Sequence, residues 1–121
     1  MKIKDIAKEI HNNAVDKGFW ESFNLPEKLM LIVSEVAEAM EADRESKRTG
    51  VSIGQVNEWK DDDDFKRSFI KNVKGTVEDE LADTVIRVLD LSGGMRFDIE
   101  QHIKAKMRYN AMREHKHGKK Y

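Results

Sequence analysis

The sequence predicts an all-α protein. Three observations carry that expectation. Charged residues make up 37% of the chain and proline occurs once, a balance that favours helices over sheets. Apolar residues recur at spacings of three and four through most of the chain, and no apolar/polar alternation is long enough to indicate a strand. At 121 residues the expectation is a single domain spanning 1–121, with a core that is sufficient but has little surplus.

Each element has its own signals. Ile3, Ile6, Ile10 and Ala14 mark a short amphipathic helix over 2–17, stopped by Gly18. Phe19, Trp20 and Phe23 then fall in a loop packed on the bundle. A second helix starts at Asn24 or Leu25, with Pro26 in its first turn and Glu27 completing a capping box, and runs to about residue 46. The stretch 47–75 reads as an insertion: Gly50 and Gly54 break it, Asp61–Asp64 charge it, and Phe65, Phe69, Ile70 and Val73 place a short helix near 63–73. Thr76 with Asp79 resembles a capping box opening a helix over 77–92, ended by Ser92-Gly93-Gly94. Asp98, with Gln101 three residues on, caps a last helix reaching about residue 115, before an irregular tail.

The helix over 77–92 is apolar around much of its circumference, which requires cover on more than one side. A chain this short offers few covering surfaces. The expected architecture is therefore a four-helix core completed by homodimerisation.

Bulk chemistry excludes several functions. The absence of cysteine removes disulfides, thiolate zinc sites and cysteine nucleophiles together. A formal net charge of −1 gives no general attraction to nucleic acid or anionic membranes. No stretch approaches the ~20 apolar residues of a membrane span, and the charged N-terminus is unlike a secretory leader. A soluble cytoplasmic protein is the default expectation. Residues 102–121 nevertheless hold seven Lys/Arg against one acid, Glu114.

The main functional clue is two acidic pairs within otherwise apolar helical stretches: Glu35 and Glu38 in LMLIVSEVAEAM, and Glu80 and Asp83 in VEDELADTVIRVL. Spacing i,i+3 puts the two carboxylates of a pair on one helix face. On an apolar face such groups must be paired, protonated or bound to a cation, and four of them make a cage of hard oxygen ligands suited to Mg²⁺. Spacing alone is weak evidence. With 23 acids in 121 residues about four such pairs arise by chance, and Glu38/Glu41 and Glu58/Asp61 are decoys. Composition and periodicity leave open that the acids line polar helix edges and pair with Lys28 or Arg87.

In their local context the same residues resemble the MazG-like all-α nucleoside triphosphate pyrophosphohydrolases. The matching segments are Pro26-Glu27-Lys28-Leu29, Ser34-Glu35-Val36-Ala37-Glu38-Ala39, Glu80-Leu81-Ala82-Asp83-Thr84-Val85, and Lys106-x-x-x-Asn110-x-x-Arg113 with His117-Gly118-Lys119. The similarity covers about residues 20–46 and 76–120. One departure is the 41 residues between Glu38 and Glu80, longer than in compact members.

The resemblance implies Mg²⁺-dependent hydrolysis of a nucleoside triphosphate between the α and β phosphates, with Mn²⁺ as a substitute metal, in dimers or tetramers built of dimers. It implies Glu35, Glu38, Glu80 and Asp83 as metal ligands, with Glu35 or Glu38 orienting the attacking water. Lys106, Asn110, Arg113, His117 and Lys119 would contact the nucleotide, the first three on one helix face, joined by Lys104 and Arg108. Trp20, with Phe19 and His11, is a candidate for stacking on the base. Read without the resemblance, the basic segment is a solvated helix end that complements its own dipole. Other expectations are a phosphoribosyl-ATP pyrophosphohydrolase of the same four-acid design and a non-catalytic helical dimer acting as an interaction module.

Overall fold

A computed structural model describes residues 2–121. Among these residues it contains helices and no strand: α1 (Ile3–Asp16), α2 (Leu25–Arg44), α3 (Ile53–Asn57), α4 (Asp62–Asn72), α5 (Val77–Gly94), α6 (Ile99–Ala111) and a 3₁₀ turn (His115–Gly118). The chain divides into two compact units. One comprises residues 1–21 with 89–121, the other residues 22–88, and the continuous helix α5 passes from the second into the first.

In the unit of residues 22–88, local chemistry sets the helix ends. Asn24 accepts a hydrogen bond from the Glu27 amide at 3.0 Å, so the predicted cap of α2 is present, with Pro26 in the first turn where its missing N–H costs nothing. α2 ends at Arg44, where Ser46 takes a left-handed conformation (φ 56°) and the Lys47 amide reaches back to the Ala42 carbonyl. The segment 47–75 is more ordered than its composition suggested. It carries α3, which was not anticipated, and α4, whose N-cap is Asp61 (accepting from the Asp64 amide at 3.0 Å) with Asp62–Asp64 as its first turn. The aspartate run is thus a helix start, stabilised by the positive end of the helix dipole.

Both ends of this segment are pinned beside α5. The Val77 amide donates to the Lys47 carbonyl at 3.0 Å, the Thr49 amide donates to Glu78 at 2.7 Å, and the Thr49 and Thr76 hydroxyls share a hydrogen bond. Thr76 caps α5 through the Asp79 amide, while the Asp79 carboxylate turns back to the Gly75 amide.

Burial in this unit is sparse. Ala39, Ala42, Val56 and Val73 are its buried apolar residues, while Leu29, Met30, Val33, Val36 and Met40 on α2, and Leu81, Val85 and Ile86 on α5, are about half exposed or more. The apolar face of α5 is therefore not covered from all sides within the chain.

In the unit of residues 1–21 and 89–121, Gly18 ends α1 with φ 87° and the Phe19 amide donates to the Ala14 carbonyl, as the sequence indicated. Two other ends differ. α5 does not stop at Ser92 but runs through Gly94, because Gly93 and Gly94 serve packing instead of termination. A Cβ on Gly94 would lie 2.1 Å from the Trp20 ring, and one on Gly93 would lie 2.7 Å from the His11 Cβ. α6 stops at Ala111, short of residue 115, where the Met112 and Arg113 amides tighten onto the carbonyls of Tyr109 and Asn110. Asp98 caps α6 through the Gln101 amide as expected.

Candidate metal centre

Three of the four acids that the sequence singles out meet within the unit of residues 22–88. Glu35 and Glu38 project from α2 and Glu80 from α5, and each offers a carboxylate oxygen such that the three lie within 4.8 Å of one another. Their environments differ. Glu35 is buried, with 7% of its surface exposed, Glu80 is half-buried, and Glu38 is open to solvent.

The buried member has a partner that sequence reasoning assigned only loosely. Arg87 Nε donates to Glu35 Oε1 at 2.6 Å, bridging α5 to α2. By sequence distance Asp83, four residues before Arg87, is the easier partner; the bond across the helices is the one formed. A lone arginine inside the apolar run Val85–Leu89 was the available signal, since a cation among apolar neighbours needs a counter-charge.

Burial first, and then the closeness of like charges, sets the site's electrostatics. The Glu80 carboxyl is pushed up to about 7, first by burial, then by its hydrogen bond with Glu38 and the charges of Glu38, Asp79 and Asp83. Asp83 is also raised, by burial and by Asp79, Glu35 and Glu38, with Arg87 opposing. Asp83 is thus within electrostatic reach of both α2 acids, although it is not among the three whose oxygens converge.

The donor set fits a small divalent cation. Neighbouring ligands at ~2.1 Å around an octahedral ion stand about 3 Å apart and opposite ones about 4 Å, so three oxygens within 4.8 Å of one another would close up to share one. All three are hard carboxylate oxygens, which suits Mg²⁺ or Mn²⁺ and not a soft metal. The single nearby guanidinium leaves the cluster net negative.

The other predicted site residues lie in the unit of residues 1–21 and 89–121. Trp20 Nε1 donates to Asp90 Oδ1 at 2.8 Å, His11 Nδ1 meets the same oxygen at 2.9 Å, and the two rings stand edge to face with centroids 4.9 Å apart. Asp90 was missed in the sequence; its only signal was an acid inside an apolar stretch, with partners 70 and 79 residues away. Lys106 and Arg113 flank the Tyr109 ring at 5.2 and 5.4 Å, and Arg113 donates to the His117 carbonyl at 3.0 Å. Because α6 ends at Ala111, Arg113 joins this cluster from a turn and not from a continued helix face. Asn110 Oδ1 is buried and accepts no hydrogen bond. His117 has left-handed φ, and Lys119 follows exposed.

No family model, curated protein or solved structure matches this chain. Among the described residues, no helix is long and apolar enough to cross a membrane.

Proposed function

We propose that the protein is a MazG-like, Mg²⁺-dependent nucleoside triphosphate pyrophosphohydrolase that cleaves a triphosphate to a monophosphate and pyrophosphate in the cytoplasm, removing surplus or non-standard nucleotides. The observation that carries this reading is the convergence of Glu35, Glu38 and Glu80 from two helices, where burial and the neighbouring Glu38 push the Glu80 carboxyl up to about 7. Such crowding costs stability unless a cation relieves it.

Glu35, Glu38 and Glu80 would hold Mg²⁺ or Mn²⁺, with Asp83 supporting from the next turn. When bound, the ion supplies charge neutralisation and orientation of the phosphates. The protein's own groups divide the remaining work. Glu35 is held through one oxygen by Arg87. Glu38 is the exposed carboxylate, and so the better placed of the α2 pair to accept a proton from the attacking water. Lys106, Arg113 and Lys119 supply cations for phosphate oxygens. Asn110 would contact the sugar or base, as the resemblance implies. His117 and Trp20 complete the proposed substrate contacts.

The proposed assembly is a homodimer, or a tetramer of two dimers. Leu29, Val33, Val36 and Met40 follow a four-three-four spacing along the exposed side of α2, the pattern of a helix seam that packs against another helix. Among the described residues no large side chain is fully buried, so one copy leaves much apolar surface in water.

The test is pyrophosphate release from a nucleotide panel with and without Mg²⁺. Metal-dependent release from one or more nucleoside triphosphates is expected. Release from phosphoribosyl-ATP alone would assign the related histidine-pathway reaction. No release from any nucleotide would favour a non-catalytic helical dimer, the reading that the exposed seam supports by itself.

A further inference from the structure

A concavity of about 350 Å³ lies in the unit of residues 1–21 and 89–121, between α1 and the turn joining α5 to α6. Its size falls within the range of small-molecule sites. The floor is apolar, with Ala7 buried, and Phe97, half exposed, forms one wall. Around it stand three cations, Lys4, Lys8 and Arg96, against one acid, Asp98. Asp98 is already engaged at the start of α6, where it accepts from the Gln101 amide. None of the three cations is ion-paired among the described residues.

Arg96 also closes the C-terminal end of α5. Its amide donates to the Gly93 carbonyl and the Phe97 amide donates to the Ser92 carbonyl at 2.9 Å, the paired bonds of a helix end that glycine usually occupies. Arg96 adopts φ 59° there, a left-handed conformation disfavoured for any residue with a Cβ. Glycine is the usual residue at such a helix end, and the residue present is a cation on the rim of the cavity.

We infer that this cavity binds a small organic phosphomonoester, whose dianionic phosphate is held by Lys4, Lys8 and Arg96 and whose carbon body lies against Ala7 and Phe97. Three cations against one acid leave two positive charges, matching a phosphate dianion above its second pKa of about 6. The apolar floor and aromatic wall favour an organic phosphate over the inorganic ion.

The test titrates the full-length protein with phenyl phosphate at pH 8 in the presence of EDTA, so that the acidic cluster plays no part, and follows backbone amide resonances. Saturable shifts confined to residues 4–12 and 92–99 are expected, weaker with inorganic phosphate and absent with benzyl alcohol. Arg96→Gly should raise the thermal midpoint while weakening phenyl phosphate about tenfold, as loss of a charged hydrogen-bond partner requires; Lys8→Gln should weaken it with the midpoint unchanged. No saturable shift, equal shifts from benzyl alcohol, or unchanged affinity in both variants would overturn the assignment. Capture by phosphatidic acid vesicles that is lost in the same variants, without phenyl phosphate binding, would move the site to a lipid surface and also overturn it.

Discussion

Glu35, Glu38 and Glu80 illustrate how position turns one side-chain type into three roles. Glu35 is buried and tied to Arg87, Glu38 meets solvent, and Glu80 sits between them with a raised carboxyl. Replacing Arg87 with methionine strands the Glu35 charge, and loss of about 2–3 kcal/mol is expected in denaturant titrations. Glu38→Gln or Asp83→Asn should instead lose pyrophosphate release by orders of magnitude while the metal-free fold is kept or stabilised, because each removes like-charge repulsion. If both variants unfolded yet retained turnover per folded molecule, the acids would be structural.

A pH dependence follows from Glu80. Its folded value of about 7 exceeds the ordinary 4.5, so the folded state holds the proton more tightly than the unfolded chain. Its stabilising contribution is complete below about 4.5 and is lost as pH rises through 7. Thermal melts in EDTA should therefore find Glu80→Gln close to the parent near pH 4.5 and more stable than it at pH 8. Mg²⁺ at pH 8 should then raise the parent's midpoint and not the variant's.

At the scale of elements, the helices show what local sequence signals can and cannot reveal. Asn24, Asp98 and Gly18 act within four residues of themselves, and each did what its position in the sequence implied. Gly93 and Gly94 look locally like a stop, but they allow the close approach of His11 and Trp20, whose positions only the fold supplies. Gly94→Ala makes the point testable. Helix propensity alone favours alanine by about 1 kcal/mol. The collision with the Trp20 ring should reverse the sign, giving a lower thermal midpoint. The acidic pairs were legible because i,i+3 spacing is itself a local fact. The bonds from Arg87 to Glu35 and from Trp20 and His11 to Asp90 were not, since they join residues 52 to 79 positions apart.

For the whole molecule, the all-α class was legible from composition and periodicity, and the structure bears it out among the described residues. The segment 47–75 was harder because α3 is only five residues long and carries too few turns to show a period. What the chain leaves exposed matters as much as what it buries. With Val33 at 53% and Met40 at 60% exposure on a regular seam, self-association is the expected response. Light scattering should find an oligomer for the parent and a monomer for Val33→Lys combined with Met40→Lys. A parent that remains monomeric at micromolar concentration would remove the dimer from the account.

The most direct measurement is calorimetric titration of Mn²⁺ into metal-free protein at pH 8, alone and with a non-hydrolysable nucleoside triphosphate. Saturable uptake is expected, weakened tenfold or more by Glu80→Gln, a loss of about 1.4 kcal/mol or more. Absence of uptake under both conditions, or equal affinity in the variant, would contradict it.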